Sequence, residues 1–196
     1  MGEIFVLVEH RQGKIRDITF EILEAGEKLA SQQGTSSTAV LLGHNAKKFA
    51  EELATRASKV LVVEDAQIDH FNSILYQKVL FSLIVRYQPL LTLIGHTAFG
   101  MDLAPSLSVE LGFPLATDCI GLSFEENRLK AARSIYGGKL NANVILRESK
   151  GYLATIRPGV YSPRTSSGKK GGIVMEPSPL QGTTDVKKFI EYIEAP

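Results

Sequence analysis

Short runs of almost purely apolar residues alternate with stretches in which apolar residues return every three or four positions, and this alternation organises the first half of the chain. Residues 4–8, Ile4-Phe5-Val6-Leu7-Val8, contain no polar member, which predicts a strand buried on both faces. From 16 to 33 the positions Ile18, Ile22, Ala25, Gly26, Leu29 and Ala30 recur at helical spacing, and Gly34 supplies a stop. A second strand over 38–42 ends at Gly43. Asn45 then predicts the cap of a helix running to about 56, with Phe49, Leu53 and Ala57 on one side. A strand over 60–63, a longer helix over 69–87 and a strand over 90–94 continue the series. The helix ends before Pro89 because the residue preceding a proline disfavours helical backbone. Strands and helices alternating at this spacing require right-handed crossovers and a parallel sheet covered on both faces, so the pattern predicts a doubly wound α/β domain.

The rhythm changes after Gly112. Residues 116–125, 129–136, 142–147 and 152–156 read as strands with short connections, and no helix of useful length fits between them. Strands that follow one another without helices pair antiparallel, so the later strands are expected to form hairpins at one edge of a mostly parallel sheet. Glu126-Asn127 and residues 149–151 are the expected turns. From 162 to 184 the chain carries three prolines, four glycines and the cations Arg164, Lys169 and Lys170, the composition of an extended or mobile arm. Val186, Phe189, Ile190 and Ile193 return to helical spacing over 185–193, enough for a short helix or a docking segment. The expected division is therefore an α/β domain over 1–162 and an arm with a short helix over 163–196.

Hydrophobic residues at 44% and charged residues at 22% place the chain among globular proteins, and a formal net charge of +1 argues against a nucleic-acid partner. The single cysteine, Cys119, excludes an internal disulfide and any cysteine metal cluster, and its strand-like setting predicts a buried, inert thiol. No apolar run approaches the roughly 20 residues of a membrane helix. No basic leader with an apolar core opens the chain, so a reducing, cytoplasmic location is the expectation.

Candidate chemistry concentrates at the junction Gly95-His96-Thr97-Ala98-Phe99-Gly100, where an apolar strand gives way to a helix rich in small residues. Ligands of open parallel sheets bind at such places, with backbone N–H groups holding an anion. Gly95 and Gly100 permit close backbone approach and Thr97 adds a hydroxyl, so the three form a candidate phosphate or nucleotide seat. The same glycines serve equally in a tight turn made for packing. The segment matches neither a dinucleotide fingerprint nor a P-loop, since Met101 and Asp102 stand where Lys and Ser or Thr are needed, and Asp102 would repel phosphate. His10, His44, His70 and His96 have no metal-ligand spacing and read as ordinary loop residues, although His10 and His96 both follow strands and could face one sheet edge. Glu125-Glu126 sits in a turn and reads as solvated. Arg133 and Arg157, each in or at the end of a strand, could clamp a carboxylate, a phosphate or a flavin carbonyl with paired donors, or make surface ion pairs. No acid, base and electrophile assemble, so autonomous catalysis finds no support.

Six segments in order, Leu7-Val8-Glu9-His10, the helix over 19–29, Lys59-Val60-Leu61-Val62, the block 95–118, Arg133-Ser134-Ile135-Tyr136-Gly137-Gly138 and Thr155-Ile156-Arg157-Pro158-Gly159, resemble the N-terminal domain of an electron transfer flavoprotein alpha subunit. The resemblance covers about 3–163. It implies a fold similar to adenine nucleotide alpha hydrolase-like domains and a role as scaffold, pairing with a beta subunit to form a base. A separate alpha C-terminal domain then holds most of the FAD and moves to deliver electrons. Ser106 departs from the arginine the family commonly carries after Pro105. No glycine- and arginine-rich FAD-binding segment appears, and the glycine–lysine stretch over 168–172 is no substitute. The resemblance therefore implies FAD in the complete complex and none on this chain alone. The FAD domain would be absent, either because the chain is part of a longer protein or because the two alpha domains are encoded separately. A homodimer is one candidate state for the isolated chain, and the sequence does not decide it. The alternative is a stand-alone adenine-nucleotide-binding protein of the same superfold using the 95–100 turn.

Overall fold

The protein was analysed as a computed structural model that describes residues 2–163, 170–183, 187 and 189–191. Strand β1 (Ile4–Leu7) lies at the centre of a nine-stranded sheet. A small hairpin of β2 (His10–Arg11) and β3 (Lys14–Ile15) follows it, turning through Gln12 and Gly13, which both adopt positive φ. That left-handed pair makes the tight turn suited to a two-residue hairpin, and it was not anticipated from a Gln-Gly sequence. Helix α1 (Asp17–Gln33) is closed by Gly34 in the left-handed conformation, as its position predicts. The chain continues through β4 (Ser37–Gly43), α2 (Lys47–Leu53), β5 (Lys59–Glu64), α3 (Ser73–Tyr87), β6 (Leu91–Gly95) and α4 (Ala98–Leu111).

Two helix starts differ from expectation. Asn45 takes positive φ instead of capping, and α2 begins two residues later without a side-chain cap. The long helix starts at Ser73, not 69, because the Asn72 side chain accepts hydrogen bonds from the N–H groups of Ile74 and Leu75. A separate 3-10 turn over Ala66–Ile68 precedes it.

The later strands are β7 (Leu115–Glu125), β8 (Arg128–Ile135), β9 (Leu140–Ile145), β10 (Tyr152–Ile156) and β11 (Gly172–Glu176). The sheet order is β11-β5-β4-β1-β6-β10-β7-β8-β9, with parallel pairing from β11 through β7 and antiparallel pairing from β7 through β9. The fold is thus the doubly wound, mostly parallel sheet with antiparallel edge strands that the pattern predicts. Glu126 and Asn127 form the β7–β8 turn, both at positive φ.

Two placements correct the sequence reading. β10 is no hairpin partner: it inserts between β6 and β7, parallel to both. All five of its residues are buried, whereas β9 is exposed at every position but one. A strand apolar on both faces belongs under helices, and that preference outweighs sequence adjacency. The arm is likewise not wholly outside the fold, because β11 extends the sheet beside β5 and Leu180 is fully buried. Arg164, Lys169, Val186 and Ile193, named for the arm's basic cluster and terminal helix, lie outside the described residues; Phe189 and Ile190 carry no regular structure.

Core residues divide between the two faces. α1 and α2 bury Ile18, Ile22, Leu29, Phe49 and Leu53 against Ile4, Val6, Leu41 and Val62. α3 and α4 bury Leu75, Tyr76, Leu83, Leu103 and Leu107 against Phe5, Leu7, Val40 and Leu61. Because the chain moves from β1 toward β4 on one side and returns to β6 on the other, the strand order reverses between β1 and β6. A crevice opens there at the carboxyl ends of the strands.

Candidate functional site

Glu9, two residues after β1, turns its carboxylate into this crevice. Its backbone is fixed from three directions: its N–H donates to Thr19 Oγ1, and its carbonyl accepts from the Thr19 hydroxyl and the Arg16 N–H. Across the crevice, Thr97 is the N-cap of α4, its hydroxyl oxygen accepting from the Gly100 N–H at 3.3 Å while the hydroxyl donates to Glu9 Oε2 at 2.8 Å. A carboxylate of the chain itself therefore faces the helix terminus where an external anion would bind. Burial raises the Glu9 pKa above the ordinary carboxylate value, against the lowering effects of the Thr97 hydrogen bond and the Arg16 charge.

The two glycines are committed to packing. A Cβ on Gly95 would lie 2.7 Å from Ile18 Cγ1, and one on Gly100 would overlap the Gly95 carbonyl oxygen and stand 2.8 Å from Ile94 Cγ2. Of the two readings of the 95–100 turn, the geometry favours close packing of α4 on β6. The crevice in front of it has a volume of about 470 Å³ and is lined by Glu9, Arg11, Arg16, Phe71, Phe99 and Phe189, with His10, Thr97 and Ala98 completing the wall.

Arg133 stands apart from that turn but on the same line across the sheet. Register pairs Gly95 with Ile156, Ile156 with Cys119, and Cys119 with Arg133, three inter-strand spacings or about 14 Å. Arg133 Nη2 donates to Thr117 Oγ1 at 3.0 Å, while its Nε is buried without a partner among the described residues. Between the two ends of this line lies a network that sequence reading did not assemble. Arg157 holds Asp118 bidentately, Nε to Oδ1 at 2.8 Å and Nη2 to Oδ2 at 2.6 Å. Thr155 Oγ1 accepts from the Asp118 N–H and bonds His96 Nδ1 at 2.9 Å, and His96 Nε2 lies 3.9 Å from Asp118 Oδ1. The hydrogen bonds from Arg157 hold the Asp118 carboxyl below its usual range, against the opposing effect of burial. Asp118 adopts φ 57° where register shifts interrupt the pairing of β7 with both its neighbours. The signal in the sequence was Thr-Asp before a small apolar run, since aspartate tolerates left-handed backbone.

His10 and His96 do not meet as a pair: His10 Nε2 bonds the Leu42 carbonyl at 2.7 Å, while His96 belongs to the Asp118 network. No group of three His, Cys, Asp or Glu able to hold a metal occurs among the described residues. Cys119 is fully buried, and burial pushes its thiol up to about 12. None of the described helices is long and apolar enough to cross a membrane.

Residues 4–180, which take in the whole sheet, match the electron transfer flavoprotein domain. The electron transfer flavoprotein subunit alpha of Clostridium acetobutylicum is 36% identical over 161 residues, covering 81% of this chain and 48% of that protein. The subunit alpha of Megasphaera elsdenii is 31% identical over 195 residues, covering 97% of the chain and 58% of the relative. The acryloyl-CoA reductase electron transfer subunit beta of Anaerotignum propionicum is 31% identical over 183 residues, covering 81% and 50%. The chain spans about half the length of the curated relatives it matches, whose names are those of electron-transfer subunits and not of autonomous enzymes. Fold, length of match and identity agree: the chain belongs to the electron transfer flavoprotein domain family.

Proposed function

We propose that this chain is the scaffold and docking domain of an electron transfer flavoprotein alpha subunit, pairing with a beta subunit and presenting a separate FAD domain, in the cytoplasm. The observation that carries the reading is a contrast between a crevice satisfied from within and a sheet edge left open. FAD fits the crevice poorly: a pyrophosphate needs space and N–H donors at the helix terminus, and Gly95, Gly100, Thr97 and Glu9 are already committed to one another there. Of the four residues first nominated for cofactor contact, Gly95, Thr97, Gly100 and Arg133, only Arg133 keeps an unpartnered buried donor. We assign it to contact with a group carried by the assembled complex.

The opposite holds at β9. This edge strand contains no charged residue from Leu140 to Ile145, and Leu140, Val144 and Ile145 are exposed, with Tyr136 beside them. An uncharged edge with free backbone groups and apolar side chains is normally covered or blunted by charge. The β11 edge also exposes Ile173, Val174 and Met175, but it is pinned by Glu176, which bonds Arg86 and Tyr87. We therefore place the beta subunit on β9, with self-association through the same strand when that partner is absent.

An absorbance spectrum tests the reading. The chain purified alone is expected to be colourless, and co-purified with its beta subunit and a FAD domain it is expected to be yellow with flavin bands. A chain that never associates with the beta subunit overturns the proposal. Binding of AMP by the chain alone favours the nucleotide binder instead, whose one supporting feature is the crevice at the switch point.

A further inference from the structure

We propose that the β2–β3 hairpin and the neighbouring side of α2 form a basic docking patch, carried by Arg11, Lys14, Arg16 and Lys48, that receives an acidic surface of another protein. That the visitor is a redox partner rests on the electron-transfer reading; the patch and its charge do not.

The hairpin contributes little to the core and is instead held out at the rim. It stands apart from the nine-stranded sheet as two strands of two residues each, too short to hold together alone. Anchors at its base fix it: His10 Nε2 donates to the Leu42 carbonyl at 2.7 Å, the His10 ring lies 5.2 Å from that of Phe49, Ile15 packs against the core, and the Arg16 N–H donates to the Glu9 carbonyl. The left-handed turn at Gln12 and Gly13 leaves Arg11, Lys14 and Arg16 exposed along a shared depression. From the other side Lys48 of α2 reaches the turn, its Nζ 3.6 Å from where a Gly13 Cβ would stand, and lines a second depression with Gln12 and Gly13. The cations are thus presented by a preorganised element, which lowers the ordering cost of docking.

Charge separates this patch from the rest of the surface. Elsewhere cations are matched, Lys28 with Glu24, Lys59 with Glu3, Arg86 with Glu176, Lys130 with Glu125 and Arg157 with Asp118. Lys14, Arg16 and Lys48 form no ion pair with any described residue. The carboxylates around them are engaged: Glu9 accepts from Thr97, Glu21 accepts from the Gly159 N–H, and Asp69 lies 3.6 Å from His70 Nε2. Asp17, exposed on the same depression, offsets part of the charge. A net charge of +1 over the whole chain therefore conceals a local positive field at this rim. Such a field speeds encounter with a surface of opposite sign and suits the small, short-lived complexes of electron carriers. Asp17 and Asp69 at the border would repel a continuous phosphate backbone, whereas a protein surface can set its acids opposite the cations alone.

The full chain is titrated with a dye-labelled poly-glutamate peptide of about 20 residues at low salt and followed by fluorescence anisotropy. Saturable binding is expected, weakening steeply as salt rises. Lys14→Ser, Arg16→Ser and Lys48→Ser together should weaken it at least about fivefold. Lys130→Ser, Lys139→Ser and Lys150→Ser together remove the same charge elsewhere and should change it by less than about twofold. The absence of saturable binding to the unsubstituted chain, or an equal loss in both variants, overturns the proposal. Tighter binding of an oligothymidylate of matching charge overturns it in favour of nucleic acid. None of these results touches the flavin spectrum, which is read on the assembled complex, so the patch and the scaffold reading fail separately.

Discussion

Gly100→Ala tests whether the 95–100 turn exists for packing. Gly100 lies in the first turns of α4 with ordinary negative φ, so helix propensity alone favours alanine by up to about 1 kcal/mol. Sterics point the other way. The new methyl would overlap the Gly95 carbonyl oxygen and crowd Ile94 Cγ2 at 2.8 Å, inside the 3.0 Å that real Cβ atoms respect. Backbone cannot rotate out of the way as a side chain can, so α4 must back off β6 by roughly an ångström. That loosens Leu103, Ala104 and Leu107, all fully buried, at an overpacking cost of about 1–3 kcal/mol. The shift also stretches the Thr97 cap, worth about 1 kcal/mol. The balance is a loss of roughly 1–3 kcal/mol. Gly95→Ala meets Ile18 Cγ1 at 2.7 Å, on a buried β-branched side chain that is stiff at χ1, and should also lose about 1–3 kcal/mol, while Gly121→Ala meets Ala132 Cβ at an ordinary 3.5 Å and should be near neutral. Urea unfolding followed by far-ultraviolet circular dichroism gives the three midpoints. A Gly100→Ala midpoint equal to or above that of the parent protein would refute the packing argument and return the turn to the status of an open ligand seat.

Other expectations follow from the same geometry. Because the Glu9 pKa is raised in the native state, the folded protein holds that proton more tightly than the unfolded chain, so stability falls as pH rises above the ordinary carboxylate value of 4.5. Glu9→Gln should remove that slope in urea midpoints followed upward from pH 4.5. Asp118 has the opposite sign: its lowered pKa contributes stability above about 3.8 that is lost in acid, so Arg157→Ala should destabilise at neutral pH and converge with the parent protein as pH falls below that value. Cys119 should resist Ellman's reagent at about pH 8 in the native protein and react fully in denaturant, because its thiol is both buried and pushed up to about 12. Val144→Lys on β9 should leave circular dichroism unchanged yet abolish co-purification with the beta subunit, and retained co-purification would move that interface elsewhere.

What the sequence disclosed depended on whether a signal was local. The parallel strands β1, β4, β5 and β6 were legible because each is a short apolar run bounded by turn residues, and the helix ends at Gly34 and before Pro89 because backbone constraints act on single residues. The insertion of β10 was hidden, since adjacency in sequence suggested a hairpin and only burial on both faces revealed a central strand. β11 was hidden for a related reason: glycine, proline and lysine around it read as an arm, and the parallel pairing with Val60, Leu61 and Val62 spans more than a hundred residues of sequence. At the site, the glycines and Thr97 are legible in one local segment, whereas their partner Glu9 is not, because the contact joins two loops 88 residues apart.

The committed state of the crevice bears directly on how such a domain can serve as a base for others. A binding surface that must reorganise spends part of its interaction energy on ordering side chains, about 0.5–1.5 kcal/mol for each rotamer-rich group. Here Glu9, Thr97, His96, Thr155, Asp118 and Arg157 already hold one another through hydrogen bonds, so the carboxyl face of the sheet presents a fixed pattern of charge before any partner arrives. Arg133 Nε is the exception, a donor kept in place by Thr117 on the same guanidinium yet unmatched itself. A buried unmatched donor costs about 1–3 kcal/mol, and that cost is recovered when an acceptor is brought to it. The face is thus rigid at the crevice and, among the described residues, unsatisfied at Arg133 toward the β7–β9 edge, as the proposed docking role requires.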